Sequence, residues 1–284
     1  MRSILLLLSL LLFCGLVKGQ NNYASSQIPK NLLPYASAVV RNDETVIEIK
    51  DLDNVSYRVK KAITVLNKNG DDIAHMAIFY NKIVNIKYIK GMAYDEYGKQ
   101  IAKFSERDFS DEATGGGGTF FQDFRVKHYI PSITQYPYTI EYEYELKNKQ
   151  TLNIESWEPI NEPSMAVEQS SYKIICKPDL NIRYKEINVP QKVEIGSTKD
   201  GFKTYSWQIK DLKAIKHEPF SPDWRTYLTQ VIVAPEKFSY YGIQGSYTNW
   251  QQLGKWQYDK LLANRQAVPD ETAAYIKEIT SNIT

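Results

Sequence analysis

The chain has 284 residues, 43% of them hydrophobic, with 35 Lys+Arg against 33 Asp+Glu, so it is long enough for a full apolar core. A balance this even, with no clustered basic excess, argues against a partner gripped through a phosphate backbone. The 21 Tyr and 12 Pro, with few helix-like stretches, favour β structure.

Residues 1–19 have the layout of a secretory signal peptide: Arg2, an apolar run from Ile4 to Val17, and a small residue, Gly19, before Gln20. The run is short for a membrane span, and an uncleaved anchor is the alternative. Phe13 before Cys14 argues against a lipoprotein signal. Loss of Arg2 and Lys18 with the leader would bring basic and acidic side chains to parity and leave Cys176 as the one cysteine, so no internal disulfide is expected. An exported chain of this size without disulfides fits a bacterial envelope protein, periplasmic or extracellular.

Residues 20–35 are polar and punctuated by Pro, a lead-in. Ala36–Arg41 and Glu44–Lys50 are expected as two strands joined by Asn42-Asp43. From Val55 to Leu66 the apolar period is 2, with a slip at Lys60-Lys61-Ala62 where a bulge is expected. Asn69-Gly70 and Tyr97-Gly98 are expected to turn hairpins. Ser105–Asp108 has capping spacing for one helical turn, and Gly115–Gly118 reads as a loop; Thr119-Phe120 follows it, so it is no phosphate-binding Walker loop. In Tyr138–Leu146 the Tyr, Ile and Leu fall on one face, while Thr139, Glu141, Glu143 and Glu145 fall on the other, the pattern of a strand with one buried and one wet face. Further strands are expected at Leu152–Trp157, Met165–Cys176, Ile182–Val189, Lys192–Ser197, Lys203–Ile209 and Thr229–Val233, with a turn over Gly196–Gly201 and a rigid link at His217–Trp224.

The period then becomes helical. Thr248–Asn264 is expected as a helix, capped by Thr248 with Gln251 and carrying Trp250, Leu253, Gly254, Leu261 and Leu262 on one side. A second helix starts near Pro269, with Ile276, Ile279 and Ile283 as its stripe. The expected architecture is all-β: an antiparallel β-sandwich with immunoglobulin-like layers over residues 36–235, followed by two C-terminal helices within 236–284.

Chemistry-bearing residues are sparse. Cys176 ends an apolar strand pattern and reads as a buried structural thiol rather than a nucleophile. His75, His128 and His217 share no metal-ligand spacing, and Asp108, Asp111 and Glu112 lack that of a calcium loop. The glutamate face of 138–146 reads as solvation. Trp157, Trp224, Tyr240 and Tyr241 are the candidate aromatic platform for a glycan or peptide. No cofactor, metal or catalytic residue is expected.

The segments VLNKNG (65–70), IKGMAYDEYGKQI (89–101), FQDFRVKHYIPSI (121–133), YTIEYEY (138–144) and HEPFSP (217–222) together resemble domain of unknown function 3857, over roughly residues 36–235. The resemblance implies an exported bacterial β-sandwich that commonly precedes a transglutaminase-like cysteine hydrolase domain. The helix TNWQQLGKWQYDKLL resembles the linker into such a domain, so residues 236–284 would begin a truncated transglutaminase-like region. The Gly-Asp-Cys segment of that domain, and its following His and Asp, have no counterpart in the 284 residues. The expected role is therefore a non-enzymatic accessory or interaction module, with a protein partner or a downstream domain covering Ile276, Ile279 and Ile283. The alternatives are a glycan- or peptide-binding module and a fragment of a transglutaminase-like hydrolase.

Overall fold

A computed structural model describes residues 23–114, 123–216, 218–265 and 267–281, without the side chains of Trp224 and Asn264. The expected leader, Cys14, Gly115–Gly118, His217 and Ile283 lie outside the described residues. In chain order the strands are β1 (Ala38–Asp51), β2 (Asn54–Val65), β3 (Met76–Tyr80), β4 (Val84–Tyr94), β5 (Gln100–Ser105), β6 (Ser110–Ala113), β7 (Arg125–Tyr129) and β8 (Tyr138–Asn148). They continue with β9 (Met165–Cys176), β10 (Ile182–Ile187), β11 (Glu194–Ser197), β12 (Lys203–Leu212), β13 (Gln230–Pro235), β14 (Lys237–Tyr240) and β15 (Ile243–Ser246). Helices α1 (Trp250–Gln257) and α2 (Asp270–Thr280) follow, so the fold is all-β with two C-terminal helices.

Eight strands form one sheet in the order β11-β12-β9-β1-β2-β8-β4-β5, and three small sheets, β3-β7-β6, β10-β13 and β14-β15, complete the layers. Among the described residues every strand pairing is antiparallel except that of β1 with β9, which is parallel. The apolar face of the large sheet is covered in two places. The β10-β13 pair buries Ile182, Val231 and Val233 against Ile47, Ile49, Tyr172 and Trp207. The β3-β7-β6 sheet buries Met76 and Ile78 against Ile89, Phe104, Tyr138 and Ile140. We call this covered face the inner face.

Several local expectations need correction. Residues 38–51 are one strand rather than two, because Asn42-Asp43 continues the ladder to β2. The bulge lies in β1, between Val40 and Asn42, opposite the unbroken Ala62-Ile63 step; Lys60-Lys61-Ala62 stays in register. Asn69-Gly70 sits within a 3-10 turn, Lys68–Ala74, capped by the Asn67 side chain on the Asn69 N–H, and not in a two-residue hairpin. Glycine is required there by closeness, since a Cβ would lie 2.3 Å from the Ser37 carbonyl oxygen. Tyr97-Gly98 does turn β4 into β5, with Gly98 at φ 81°. The Ser105–Asp108 capping box is present. Leu152–Trp157 is not a strand; it contributes a single bridge, Trp157 to Val231.

The polar lead-in is part of the fold. Leu32 is fully buried and packs with Ile28, Val39 and Ala166, while Tyr23 packs with Ala62 and Tyr94. Near the other end, the β14-β15 hairpin was missed by periodicity because its strands have four residues each. It is sewn to the body where the Ser239 N–H donates to Thr151 Oγ1 at 3.0 Å. Helix α1 is capped by Asn249, not Thr248, one residue later than the spacing predicts; Gln252 instead accepts from the Thr248 N–H and hydroxyl. Trp250 is 81% exposed, and the residue that docks α1 is Trp256, which stands edge-on to Phe238 and donates to the Gln244 carbonyl at 3.0 Å.

Candidate functional site

Alternation in β8 sends its tyrosines to the inner face and its glutamates to the outer face of the large sheet. On the outer face the glutamates are engaged. Glu141 is buried, accepts from Tyr23 and Tyr94 at 2.8 and 3.0 Å, and lies 3.3 Å from Lys60. Glu143 pairs with Lys90 at 3.1 Å and Glu145 with Arg58 at 3.5 Å. This cross-strand ladder corrects the expectation of simple solvation. Burial, with Glu143 beside it, pushes the Tyr88 hydroxyl up to about 12.

The inner face holds a less usual feature. The ladders align Ser170 (β9), Asp43 (β1), Lys61 (β2) and Tyr142 (β8) in one row across the sheet. The next row is Tyr172, Thr45, Val59 and Tyr144. A carboxylate and an ammonium therefore occupy the middle of a face that is otherwise apolar. The two covering sheets leave this patch open as a cleft of about 360 Å³, bounded on one side by the segment Glu155–Glu158 and Asn161.

The geometry within it is specific. Trp157 is buried and donates from Nε1 to Ser170 Oγ at 2.9 Å, and Ser170 Oγ stands 3.4 Å from Asp43 Oδ2. Lys61 Nζ approaches the same Oδ2 at 3.7 Å, beyond hydrogen-bond length. Two parallel ring pairs line the cleft: Tyr142 with Tyr144, centroids 6.4 Å apart, and Trp157 with Tyr172, 6.3 Å apart. The Tyr172 hydroxyl fixes the bounding segment by donating to the Glu155 carbonyl at 2.6 Å. Removal from water, and then the nearby Asp43, raise the Glu155 carboxyl, with Lys61 opposing. Burial also raises the Tyr142 and Tyr144 hydroxyls, and Asp43 adds to both. Perturbed groups gathered in a cleft mark a functional-site candidate.

Of the aromatic residues expected from sequence, the structure brings Trp157 to this cleft as part of its wall. Tyr240 and Tyr241 stand edge-on to each other at 4.8 Å in the β14-β15 hairpin, with Tyr241 exposed, and no ring contact joins them to Trp157 among the described residues. Trp224 lies in a short 3-10 turn, Trp224–Tyr227. Trp157 therefore shares no platform with Tyr240 and Tyr241. Asp43, Lys61, Glu155 and Glu158 are not singled out by sequence, although the apolar alternation is interrupted at Asn42-Asp43 and Lys60-Lys61.

The remaining candidates have ordinary surroundings. Cys176 is fully buried, its Sγ 3.8 Å from the Leu180 carbonyl, and burial pushes its thiol up. His75 lies 3.5 Å from Asp72 and His128 3.7 Å from Glu112. Asp111 accepts from Tyr80 and Arg125, which hold its carboxyl below the usual range, and Asp108 caps Ser105. Among the described residues no group of His, Cys, Asp and Glu is arranged to hold a metal ion. None of the described helices is long and apolar enough to cross a membrane.

Comparison with known proteins places the chain. The model of domain of unknown function 3857 matches residues 53–216, and the chain belongs to that family. Its fold is similar to that of a Parabacteroides distasonis protein named a "putative protease", at a TM-score of 0.67 and 14% identity. That match covers 87% of this chain and 47% of the other, so this chain spans about half the length of that protein. An M1 zinc metallopeptidase from Deinococcus radiodurans also matches, at 8% identity and a TM-score of 0.33, over 70% of this chain and 42% of the other. No curated protein matches.

Proposed function

We propose that this chain is a non-catalytic accessory module of an exported bacterial protein, one that supports or presents a catalytic domain following it. The observation that carries this reading is the fold match over nearly the whole chain but only 47% of a longer protein. The leader-like residues 1–19 support export to the envelope, and the family resemblance suggests a hydrolase of the transglutaminase-like class as the following domain. The buried, raised Cys176 thiol gives little support to the chain itself as a cysteine hydrolase.

Helix α2 supports the same reading. It buries none of its residues, and Tyr275, Ile276 and Ile279 are 62%, 45% and 54% exposed. An amphipathic helix standing clear of its own core is stabilised mainly by packing it lacks here, and the following domain is its proposed cover. Hydrophobic-dye binding and sedimentation of the 284-residue chain test the proposal. We expect dye binding or self-association that Ile276→Ser with Ile279→Ser abolishes. A monomer that binds no dye refutes it.

A further inference from the structure

We propose that the inner-face cleft between the two covering sheets is a binding site for an alkylammonium group, as carried by a short diamine or by a lysyl side chain. The composition of the lining leads to this class. Asp43, Glu155 and Glu158 bring three carboxylates against the single ammonium of Lys61, so the cleft carries an excess of negative charge. Four aromatic rings stand around the same space, and aromatic faces attract organic cations more strongly when water is excluded.

Of the three, Glu158 accepts from Gln230 Nε2 and Glu155 stands exposed, while the buried Asp43 is under-used by the protein. Asp43 is 8% exposed, yet both of its side-chain partners, Ser170 Oγ and Lys61 Nζ, lie against Oδ2 at distances longer than good charge-assisted bonds. Oδ1 accepts no hydrogen bond among the described residues, and Asp43 lines the cleft. Lys61 is the sole cation of the lining and is shared between Asp43 and the field of Glu155. Burying a carboxylate such as Asp43 without close pairing costs free energy, which a bound cation would offset. Glu155 stands at the exposed rim of the cleft, where partial removal from water and then the nearby Asp43 raise its carboxyl.

The alternatives fit less well. An anion would meet three carboxylates, and the acids lack the arrangement of a metal site. About 360 Å³ suits a single small molecule or one side chain rather than a folded partner. The outer-face recess of about 510 Å³ pairs Lys60 with Glu141 and Lys90 with Glu143, and its further Lys103 and Arg107 make it unsuited to a cation.

Titration calorimetry of the full chain tests the proposal, with cadaverine and Nα-acetyl-lysine amide as ammonium probes and 1,5-pentanediol and glutarate as controls. Saturable binding of either ammonium probe, with neither control bound, supports the site; cadaverine alone points to a free diamine, and the lysine derivative alone to a peptide side chain. Glu155→Gln and Tyr144→Phe guard against loss of folding, since both sit at the cleft without breaking the Asp43–Lys61 pair. We expect Glu155→Gln to weaken binding about tenfold or more, with a Tm no lower than wild type. The sign follows from linkage: a carboxyl raised in the folded state costs stability progressively as pH rises from its unfolded pKa and in full above its folded one, and glutamine removes the penalty. Tyr144→Phe is expected to leave ammonium binding within about threefold, because the ring and its face remain. No binding of either probe at tens of millimolar, equal binding of glutarate, or undiminished binding in both Glu155→Gln and Asp43→Asn overturns the proposal.

Discussion

Gly91→Ala puts one methyl group into the inner face of the large sheet at a place where the structure leaves no room. Gly91 of β4 is directly opposite Phe104 of β5, whose ring lies across the glycine; a Cβ would stand 2.1 Å from Phe104 Cζ. Ordinary carbon–carbon contact needs about 3.5–4 Å, so the ring has to move by more than an ångström. It cannot do so freely. Phe104 is 5% exposed, stacks on Tyr129 with centroids 4.4 Å apart and touches Phe109 at 6.3 Å. Overpacking of this kind costs about 1–3 kcal/mol. For a chain of this size that is a Tm lowered by roughly 2–12 °C. Thermal and urea unfolding followed by circular dichroism measure it. The decisive comparison is the same substitution in a Phe104→Ala background, where the methyl has space and should cost less than about 1 kcal/mol. A Tm unchanged by Gly91→Ala alone, or an equal loss in both backgrounds, would refute the argument.

Two further outcomes follow from single contacts. Tyr23→Phe deletes a hydroxyl that donates to the buried Glu141 at 2.8 Å, and should destabilise by about 1.5–3 kcal/mol; a loss below 0.5 kcal/mol, an estimate typical of surface changes, would show that the lead-in is only loosely attached. Cys176 should resist iodoacetamide in the native protein and react once urea unfolds it, because burial both shields the sulfur and raises its thiol. Rapid native labelling at neutral pH, read by mass spectrometry, contradicts that assignment.

The elements legible from sequence are those whose pattern is local and long. Met165–Cys176 is observed with the expected bounds, and the Tyr/Glu alternation of 138–146 separates the two faces of β8, although Thr139 and Glu141 on the expected wet face are buried. Short strands escape because four residues hold too few periods to stand out, as in Lys237–Tyr240 and Ile243–Ser246. The turn after Leu66 was misjudged because Asn-Gly suits several tight backbone paths, and contact with Ser37, distant from any local signal, selects the 3-10 form. The slip at Lys60-Lys61 was visible but misassigned. It is not an irregularity of the backbone, but a charged residue, Lys61, placed on an apolar face.

By itself, then, the sequence determined which stretches are extended, which faces of them are apolar, and that helices end the described chain. These depend on side-chain period and on turn residues a few positions apart. Only the tertiary structure decided that β1 takes β9 as a parallel neighbour, that the lead-in closes over Glu141, and that Asp43 and Lys61 meet in a cleft on the inner face. Ser170 and Asp43 are 127 positions apart, and their meeting in one row depends on the register of strands that no local pattern relates.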